Sequence, residues 1–413
     1  MSQAFSRRTF AAGLAAGAFP LLLPRRAHGA NDRIRVGVIG VGNRSGLLID
    51  QLPEDAEIVA VADCYRKRSE DAAAKRKANW RIYDDHRALL EQKDIDGVIV
   101  GTNDHARVLC AIHALQAGKD VYAEKPLTLY VSEGRTLVRA VRRYNRILQV
   151  GSQQRSMAMN RLACDFVRTG GLGRIRLVLG VNYGQPEHIA PLPDDPTPEG
   201  MNWDAWQGQA EAHPFSRELF SHWMRYWDYS GGDMTNWGAH GMDQVQAALG
   251  MDNTGPVEFW PLTDAPAGSV AFRYANGTEV RLELPQGDLQ GGAMFIGEKG
   301  RIEIIRNDFR TDPPNLIKQL PPQEEIDKWK RAQWQAKYHM EDWLSCMRSR
   351  KTPLADVEIG HRSITVCHLA NITRQLNRRL RWDPEAERFS SDAEANDKLT
   401  RRRRNGYEMP DIG

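Results

Sequence analysis

The segment Gly40-Val41-Gly42-Asn43-Arg44-Ser45-Gly46 follows directly on the apolar run Ile34 to Ile39 and precedes a helical stretch, Leu47 to Leu52. A glycine turn between a buried strand and a helix lets backbone N–H groups and the helix N-terminus face a pyrophosphate. Gly40 permits the tight turn and Gly42 the close approach of the phosphates, with Asn43 and Arg44 beside them. The third glycine position holds Ser45, with Gly46 one step late, which predicts a slightly wider helix–strand contact. Asp63 ends the second apolar run, about 20 residues on, where a carboxylate accepts from a ribose 2′-hydroxyl and repels a 2′-phosphate. The expected cofactor is therefore NAD, with NADP the alternative because Arg66, Lys67 and Arg68 lie just beyond.

A second chemical candidate is Lys125, within Gly118-Lys119-Asp120-Val121-Tyr122-Ala123-Glu124-Lys125-Pro126-Leu127. It stands at the carboxyl end of a predicted parallel strand, where such sheets place ligands. Beside a positive nicotinamide its pKa would fall, which suits a lysine to proton transfer. Pro126 can fix an unusual backbone there. On its own such a lysine would read as a surface residue. The second half crowds aromatic residues from Trp203 to Trp237. Sugars bind by stacking on rings and by hydrogen bonds to their hydroxyls, so Tyr183, Arg225, Trp227, Asp228 and Tyr229 are candidate substrate contacts.

The elements that must position these groups follow from hydrophobic periodicity. Apolar runs at Ile34 to Ile39, Ile58 to Ala62, Gly97 to Val100, Asp120 to Ala123 and Ile147 to Val150 alternate with helical patterns such as Val108 to Ala117, ending at Gly118. That alternation predicts a doubly wound parallel sheet, an α/β Rossmann domain over residues 31–152. Residues 153–413 read as an α+β domain with an open, mostly antiparallel sheet. Its strands are expected at Ile175 to Tyr183, Ser269 to Tyr274, Glu279 to Leu284, Ala293 to Ile296 and Arg301 to Ile305, with a hairpin at Asn276-Gly277. An uncovered sheet face needs a partner, so a homodimer or homotetramer is expected.

Residues 1–30 read as a leader: Ser6-Arg7-Arg8-Thr9-Phe10, an apolar run from Ala11 to Leu23, then small residues up to Ala30. The S-R-R-x-F arginine pair resembles the twin-arginine signal, which exports folded proteins, so a periplasmic or otherwise exported location is expected. Removing this segment takes away Arg7, Arg8, Arg25 and Arg26 and turns the formal +3 into −1. A near-neutral protein has no global field for nucleic acid, and Arg401-Arg402-Arg403-Arg404 reads as a solvated or ion-paired tail. No window approaches the roughly 18 apolar residues of a membrane span. The five cysteines, Cys64, Cys110, Cys164, Cys346 and Cys367, are scattered, which suggests neither a disulfide framework nor a metal site.

The stretch A-G-K-D-V-Y-x-E-K-P-L, with Thr102-Asn103-Asp104-His105 before it and Gln149-Val150-Gly151-Ser152-Gln153-Gln154-Arg155 after it, resembles the Gfo/Idh/MocA family. The likeness continues through Trp203-Asp204-Ala205-Trp206, the segment Tyr229 to His240, and Gly360-His361-Arg362-Ser363. It implies a nicotinamide cofactor contacted also by Thr102, Asn103, His105, Glu124 and Lys125, and one tightly held if the protein is exported, since an exported protein cannot count on fresh cytoplasmic nucleotide. It further implies Lys125 and His240 as the catalytic pair, with Asn236 and His240 among the substrate contacts. In such enzymes the histidine or lysine takes the hydroxyl proton while hydride passes to the nicotinamide. If residues 236–240 are helical, Asn236 and His240 share a face. One departure stands out: the dehydrogenases usually carry Asp where this chain has Asn236, and Asn cannot stabilise an imidazolium by charge. Asp233 or Asp243 could compensate, although Asp243 also fits a structural position.

The leading expectation is an NAD(P)-dependent oxidoreductase for a sugar, polyol or sugar derivative. The second is a redox-neutral, NAD-dependent glycoside hydrolase acting through transient oxidation at C3, with Tyr183 or Tyr229 as an additional base. A non-catalytic sugar sensor ranks third.

Overall fold

The computed structural model describes residues 33–265, 267–287, 289–330 and 335–412. The expected leader over residues 1–30 lies outside them. The first sheet contains β1 (Ile34–Ile39), β2 (Ala56–Ala62), β3 (Arg81–Tyr83), β4 (Gly97–Val100), β5 (Asp120–Ala123) and β6 (Leu148–Val150). Its order is β3-β2-β1-β4-β5-β6, every pairing parallel. The order reverses between β1 and β4, and ligands of doubly wound sheets bind outside the strand carboxyl ends at that point. Val36, Val38, Val98, Ile99 and Val121 are fully buried, as β-branched strands covered on both faces must be. The helix Asp104–Gln116 begins four residues before the apolar periodicity does, because Asp104 and His105 are polar yet buried. It ends before Gly118, which takes φ +75°.

The parallel sheet is not covered by residues 31–152 alone. The helix Lys337–Ser349 packs Met340, Trp343 and Met347 into the cluster that holds Ile34, Val36 and Tyr122. Gly97 leaves room for it: a Cβ there would stand 2.8 Å from the Met347 methyl and 3.1 Å from the Trp343 ring.

The second sheet contains β7 (Ile175–Val181), β8 (Glu258–Pro261), β9 (Val270–Arg273), β10 (Glu279–Leu284), β11 (Ala293–Gly297), β12 (Arg301–Ile305), β13 (Asp308–Asp312), β14 (Leu380–Asp383) and β15 (Arg388–Phe389). Its order is β13-β12-β11-β7-β10-β9-β8-β14-β15, antiparallel except where β7 meets β10. The Asn276-Gly277 turn joins β9 to β10, with Gly277 at φ +87° and the Thr278 N–H donating to Asn276 Oδ1. Register aligns Ile302, Phe295, Val178, Val280, Phe272 and Phe259 in one buried row. The helices Ala158–Arg168, Gly238–Leu249 and Val357–Leu376 share the core with this row. The opposite face carries Leu177, Leu179, Met294 and Ile296, half-buried and interspersed with Glu279 and Arg281. Among the described residues, no helix is long and apolar enough to cross a membrane.

Candidate active site

Gly40 turns the chain at φ +81°, and a Cβ on it would press within 2.9 Å of the Thr102 backbone. Gly42 caps the helix Asn43–Asp50 with nothing within 4 Å of where its Cβ would stand. Asp63, at the carboxyl end of β2, accepts from the Val41 N–H at 2.7 Å and the Tyr65 N–H at 2.9 Å. Burial raises its pKa and these two bonds oppose the rise. The wider contact expected at Ser45 does not occur. Its hydroxyl would lie 2.0 Å from a Cβ on Gly101, so the glycine missing from the turn is supplied across the contact instead.

A crevice of about 370 Å³ opens here, with Gly40, Gly42, Asp63 and Thr102 on one wall and Asn202, Trp206 and Tyr407 among the residues opposite. Asn103 and His105 also line it. His105 bonds the Trp206 carbonyl through Nε2 at 2.8 Å, while its buried Nδ1 has no hydrogen-bond partner. Burial holds its pKa down to about 3, so the ring is neutral. A φ-positive turn that excludes a side chain, an open helix N-terminus and a fixed carboxylate suit a dinucleotide. Of the three cations after Asp63, Arg66 is tied to Glu70 and Asp84 and Lys67 to Asp71. Arg68 lines the crevice and lies over the Phe220 ring.

Lys125 follows β5 and leads into a cis Lys125–Pro126 peptide. The preceding Glu124 is buried and fully used: Oε1 accepts from Arg44 Nε at 2.9 Å and Gln153 Nε2 at 3.0 Å, and Oε2 from the Lys125 N–H at 3.0 Å. Arg107 pins the surrounding loops by donating to Asp104 Oδ1 and to the Thr102 and Pro126 carbonyls. Asp104 also accepts from Ser230 Oγ at 2.9 Å, which ties the Rossmann domain to the Gly231-Gly232 segment. Within this frame Lys125 Nζ donates to Asn236 Oδ1 at 2.6 Å and to the Asn236 carbonyl at 3.2 Å. Burial lowers the Lys125 pKa to about 8, against the attraction of Glu124 and Asp104.

Asn236 and His240 do not share one continuous helix. Asn236 ends the helix Gly232–Asn236, and His240 lies in the first turn of Gly238–Leu249, its N–H donating to the Trp237 carbonyl. The Asn-for-Asp departure therefore acts on the lysine, whose ammonium Asn236 holds. His240 is 7% exposed and faces Arg306, whose NH2 stands 3.5 Å from Nε2. Burial, Lys125 and Arg306 depress its pKa well below the ordinary 6.5, so the imidazole is neutral near neutrality. Gly291 closes over this ring at φ +78°, where a Cβ would stand 2.8 Å from His240 Cβ and 3.1 Å from Gln154 Nε2. That Gln154 nitrogen is buried without a hydrogen-bond partner.

The structure brings Tyr183 to the site: it is buried, and its hydroxyl takes a backbone hydrogen bond from Gly291. Asp233 is exposed to solvent, with neighbouring protein partly desolvating its carboxyl and raising the pKa while Lys125 lowers it. Asp243 is not available, being locked to Arg155 at 2.8 Å and to Ser363 at 2.8 Å. Four other expected substrate contacts stand elsewhere. Arg225 is on the surface between Glu187 and Glu218. Trp227 and Asp228 line a separate cavity of about 290 Å³. Tyr229 is fully buried in an aromatic cluster, its ring 4.9 Å from His105. Arg306, Gln154, Gln153 and Arg107 were not singled out for the site. Only Gln153 and Gln154 lay in a quoted motif, and nothing local marks Arg306 between β12 and β13.

Two family models match the chain. "Oxidoreductase family, NAD-binding Rossmann fold" covers residues 34–152, and "Oxidoreductase family, C-terminal alpha/beta domain" covers residues 187–409. Inositol 2-dehydrogenase of Salmonella typhimurium is 25% identical over 172 residues, 41% of this chain and 50% of that protein. A glycosyl hydrolase family 109 protein of Stenotrophomonas maltophilia is 38% identical over 134 residues, 29% of this chain and 30% of its own. The chain thus spans half or less of the length of these curated relatives. Among solved structures, the WlbA dehydrogenase of Bordetella pertussis, in complex with NADH and UDP-GlcNAcA, superposes with a TM-score of 0.59 at 21% identity, over 85% of this chain and 99% of that one. The chain belongs to the Gfo/Idh/MocA oxidoreductase family and is an NAD-binding enzyme of that type.

Proposed function

We propose that this enzyme oxidises a secondary hydroxyl of a sugar or polyol, with Lys125 as the proton acceptor and the nucleotide kept bound, its hydride then passed to the carbonyl of a second sugar that closes the cycle. The observation that carries this reading is the Lys125–Asn236 contact at the carboxyl edge of the parallel sheet, beside the neutral His240. The nucleotide held along Gly40, Gly42 and Asp63 would supply the hydride acceptor for the carbinol carbon. The hydroxyl proton goes to Lys125 Nζ, which is neutral above about pH 8 and is aimed by Asn236. His240, neutral and clamped under Gly291, orients the hydroxyl by a hydrogen bond rather than by accepting a charge. The inositol dehydrogenase match supports a polyol or sugar ring as substrate. Asp63, which faces the expected 2′-hydroxyl, supports NAD over NADP.

Replacing Lys125 with Ala tests this directly. Turnover should fall by about 10²–10⁴, as when a general base is lost, while nucleotide stays bound. Unchanged turnover would remove Lys125 from the mechanism.

A redox-neutral glycoside hydrolase is the second reading, favoured by the family 109 match and by an amide where dehydrogenases usually carry a carboxylate. Its additional base is the difficulty. Tyr183 already takes the Gly291 N–H, and burial raises the pKa of both Tyr183 and Tyr229. Aglycone release from nitrophenyl glycosides without net NADH would favour the hydrolase; reduced cofactor reoxidised by a second sugar would favour the oxidoreductase. Export through the twin-arginine route rests on Ser6-Arg7-Arg8-Thr9-Phe10, and self-association on the half-buried face of Leu177, Leu179, Met294 and Ile296.

A further inference from the structure

The basic run Arg401–Arg404 alternates in what it touches. Arg401 lies over the Tyr130 ring and donates to the Asp228 carbonyl at 2.9 Å. Arg402 is exposed. Arg403 pairs with Glu133, the buried carboxylate that caps the helix Val131–Tyr144. Arg404 turns to the helix Trp203–Gln207, whose last carbonyls carry a partial negative charge. Its guanidinium donates to the Gly208 carbonyl at 2.6 and 2.9 Å, to the Asp204 carbonyl at 3.0 Å and to Asp204 Oδ1 at 2.6 Å. A turn then brings Tyr407 back against Arg404, with its hydroxyl 3.3 Å from Asp204 Oδ2.

Residues 202–209 form one wall of the dinucleotide crevice, and Gly406 and Tyr407 extend it. This wall is tied to the Rossmann domain on both sides of the opening. The Asn202 N–H donates to the Cys64 carbonyl at 2.8 Å, just past Asp63, and the Trp206 carbonyl meets His105 Nε2. The crevice continues beyond Asp63 to Cys64 and Arg68, the end where the acid after β2 places an adenosine ribose. A nucleotide leaving this end must part residues 202–209 from the first domain, and Arg404 holds that segment from behind.

We propose that Arg404–Tyr407 is part of the dinucleotide-binding site: a strap in which Arg404 locks residues 202–209 over the adenosine moiety and Tyr407 completes its wall. The strap sets how fast the nucleotide leaves. This rests on the resident-cofactor reading above and names the residues that would make the cofactor resident.

The test is the release rate of NADH from the full chain, followed by its fluorescence during a chase with excess NAD. Arg404→Ala and Tyr407→Ala should release NADH at least about tenfold faster than wild type, as loss of charge-assisted bonds at a closing wall predicts. Arg402→Ala should match wild type. Equal release rates in Arg404→Ala, Tyr407→Ala and wild type would overturn the strap. Should Arg404→Ala fail to fold, the rate of Tyr407→Ala decides alone, since Tyr407 is half-buried and its hydroxyl meets the exposed Asp204. Wild-type protein that exchanges its nucleotide within seconds would instead overturn the resident cofactor, while the ratio between variant and wild type still reads the strap.

Discussion

Asn236 decides the protonation chemistry of this site through Lys125. An amide oxygen can orient an ammonium but adds no full charge to hold the proton, so burial wins and the lysine pKa falls to about 8. A base must be deprotonated, so kcat/KM for alcohol oxidation should rise as pH passes through about 8 and level off above it. Asn236→Asp places a carboxylate on the same ammonium and stabilises its charged form. The rising limb should then move up by about one pH unit or more; a limb that stays in place would dissociate it from Lys125. The glycine turn, Asp63 and Lys125 were legible in the sequence because each follows its own strand within a residue or two. Arg306 and Gln154 were not, since Arg306 reaches His240 and Gln154 reaches Gly291 only through long-range packing. Tyr229 is hidden for a related reason. An aromatic cluster can stack on itself as well as on a sugar, and composition does not distinguish the two.

At the scale of elements, the Rossmann domain depends on a small-residue exchange across the contact between its first helix and β4. Ser45 is fully buried with an unbonded hydroxyl, and Gly101 makes room for it. Gly101→Ala should destabilise the fold by about 1–3 kcal/mol through overpacking, and Ser45→Gly in the same chain should recover much of that. Additive losses in thermal or urea melts would show that the two residues do not share the space. The strands of the parallel sheet were readable because burial on both faces makes them continuous apolar runs. β3 was missed because its three residues are all half-buried at the sheet edge. β8, β13, β14 and β15 were missed as well: β8 is four residues ending in Pro261, and in β13 Asp308, Arg310 and Asp312 alternate with half-buried residues. The contribution of Lys337–Ser349 to the first domain was also hidden, because amphipathicity shows that a helix buries a face and not which sheet receives it.

At the scale of the molecule, the second sheet is covered by helices on one face and offers Leu177, Leu179, Met294 and Ile296 on the other. That face should join copies of the chain. Leu179→Glu with Met294→Glu should lower the mass measured by light scattering to that of one chain and leave NADH binding intact; an unchanged mass would place the contact elsewhere. The two domains are joined through the site itself, by Asp104 with Ser230 and by Lys125 with Asn236, so the nucleotide domain and the candidate substrate wall cannot shift independently. The strap and the residue before it add contacts of a different kind. Arg403 meets Glu133 across 270 residues of sequence, and Arg404 meets Gly208 across 196. Closing such long loops is entropically unfavourable until the intervening chain has folded, which places these contacts late in the folding order. The strands of the Rossmann domain, built from neighbouring βα units, can pair and receive the helix Lys337–Ser349 while the crevice is still open on the strap side. On the resident-cofactor proposal, nucleotide present during folding would be enclosed as the chain completes its structure, and its retention would be a matter of assembly timing as much as of affinity.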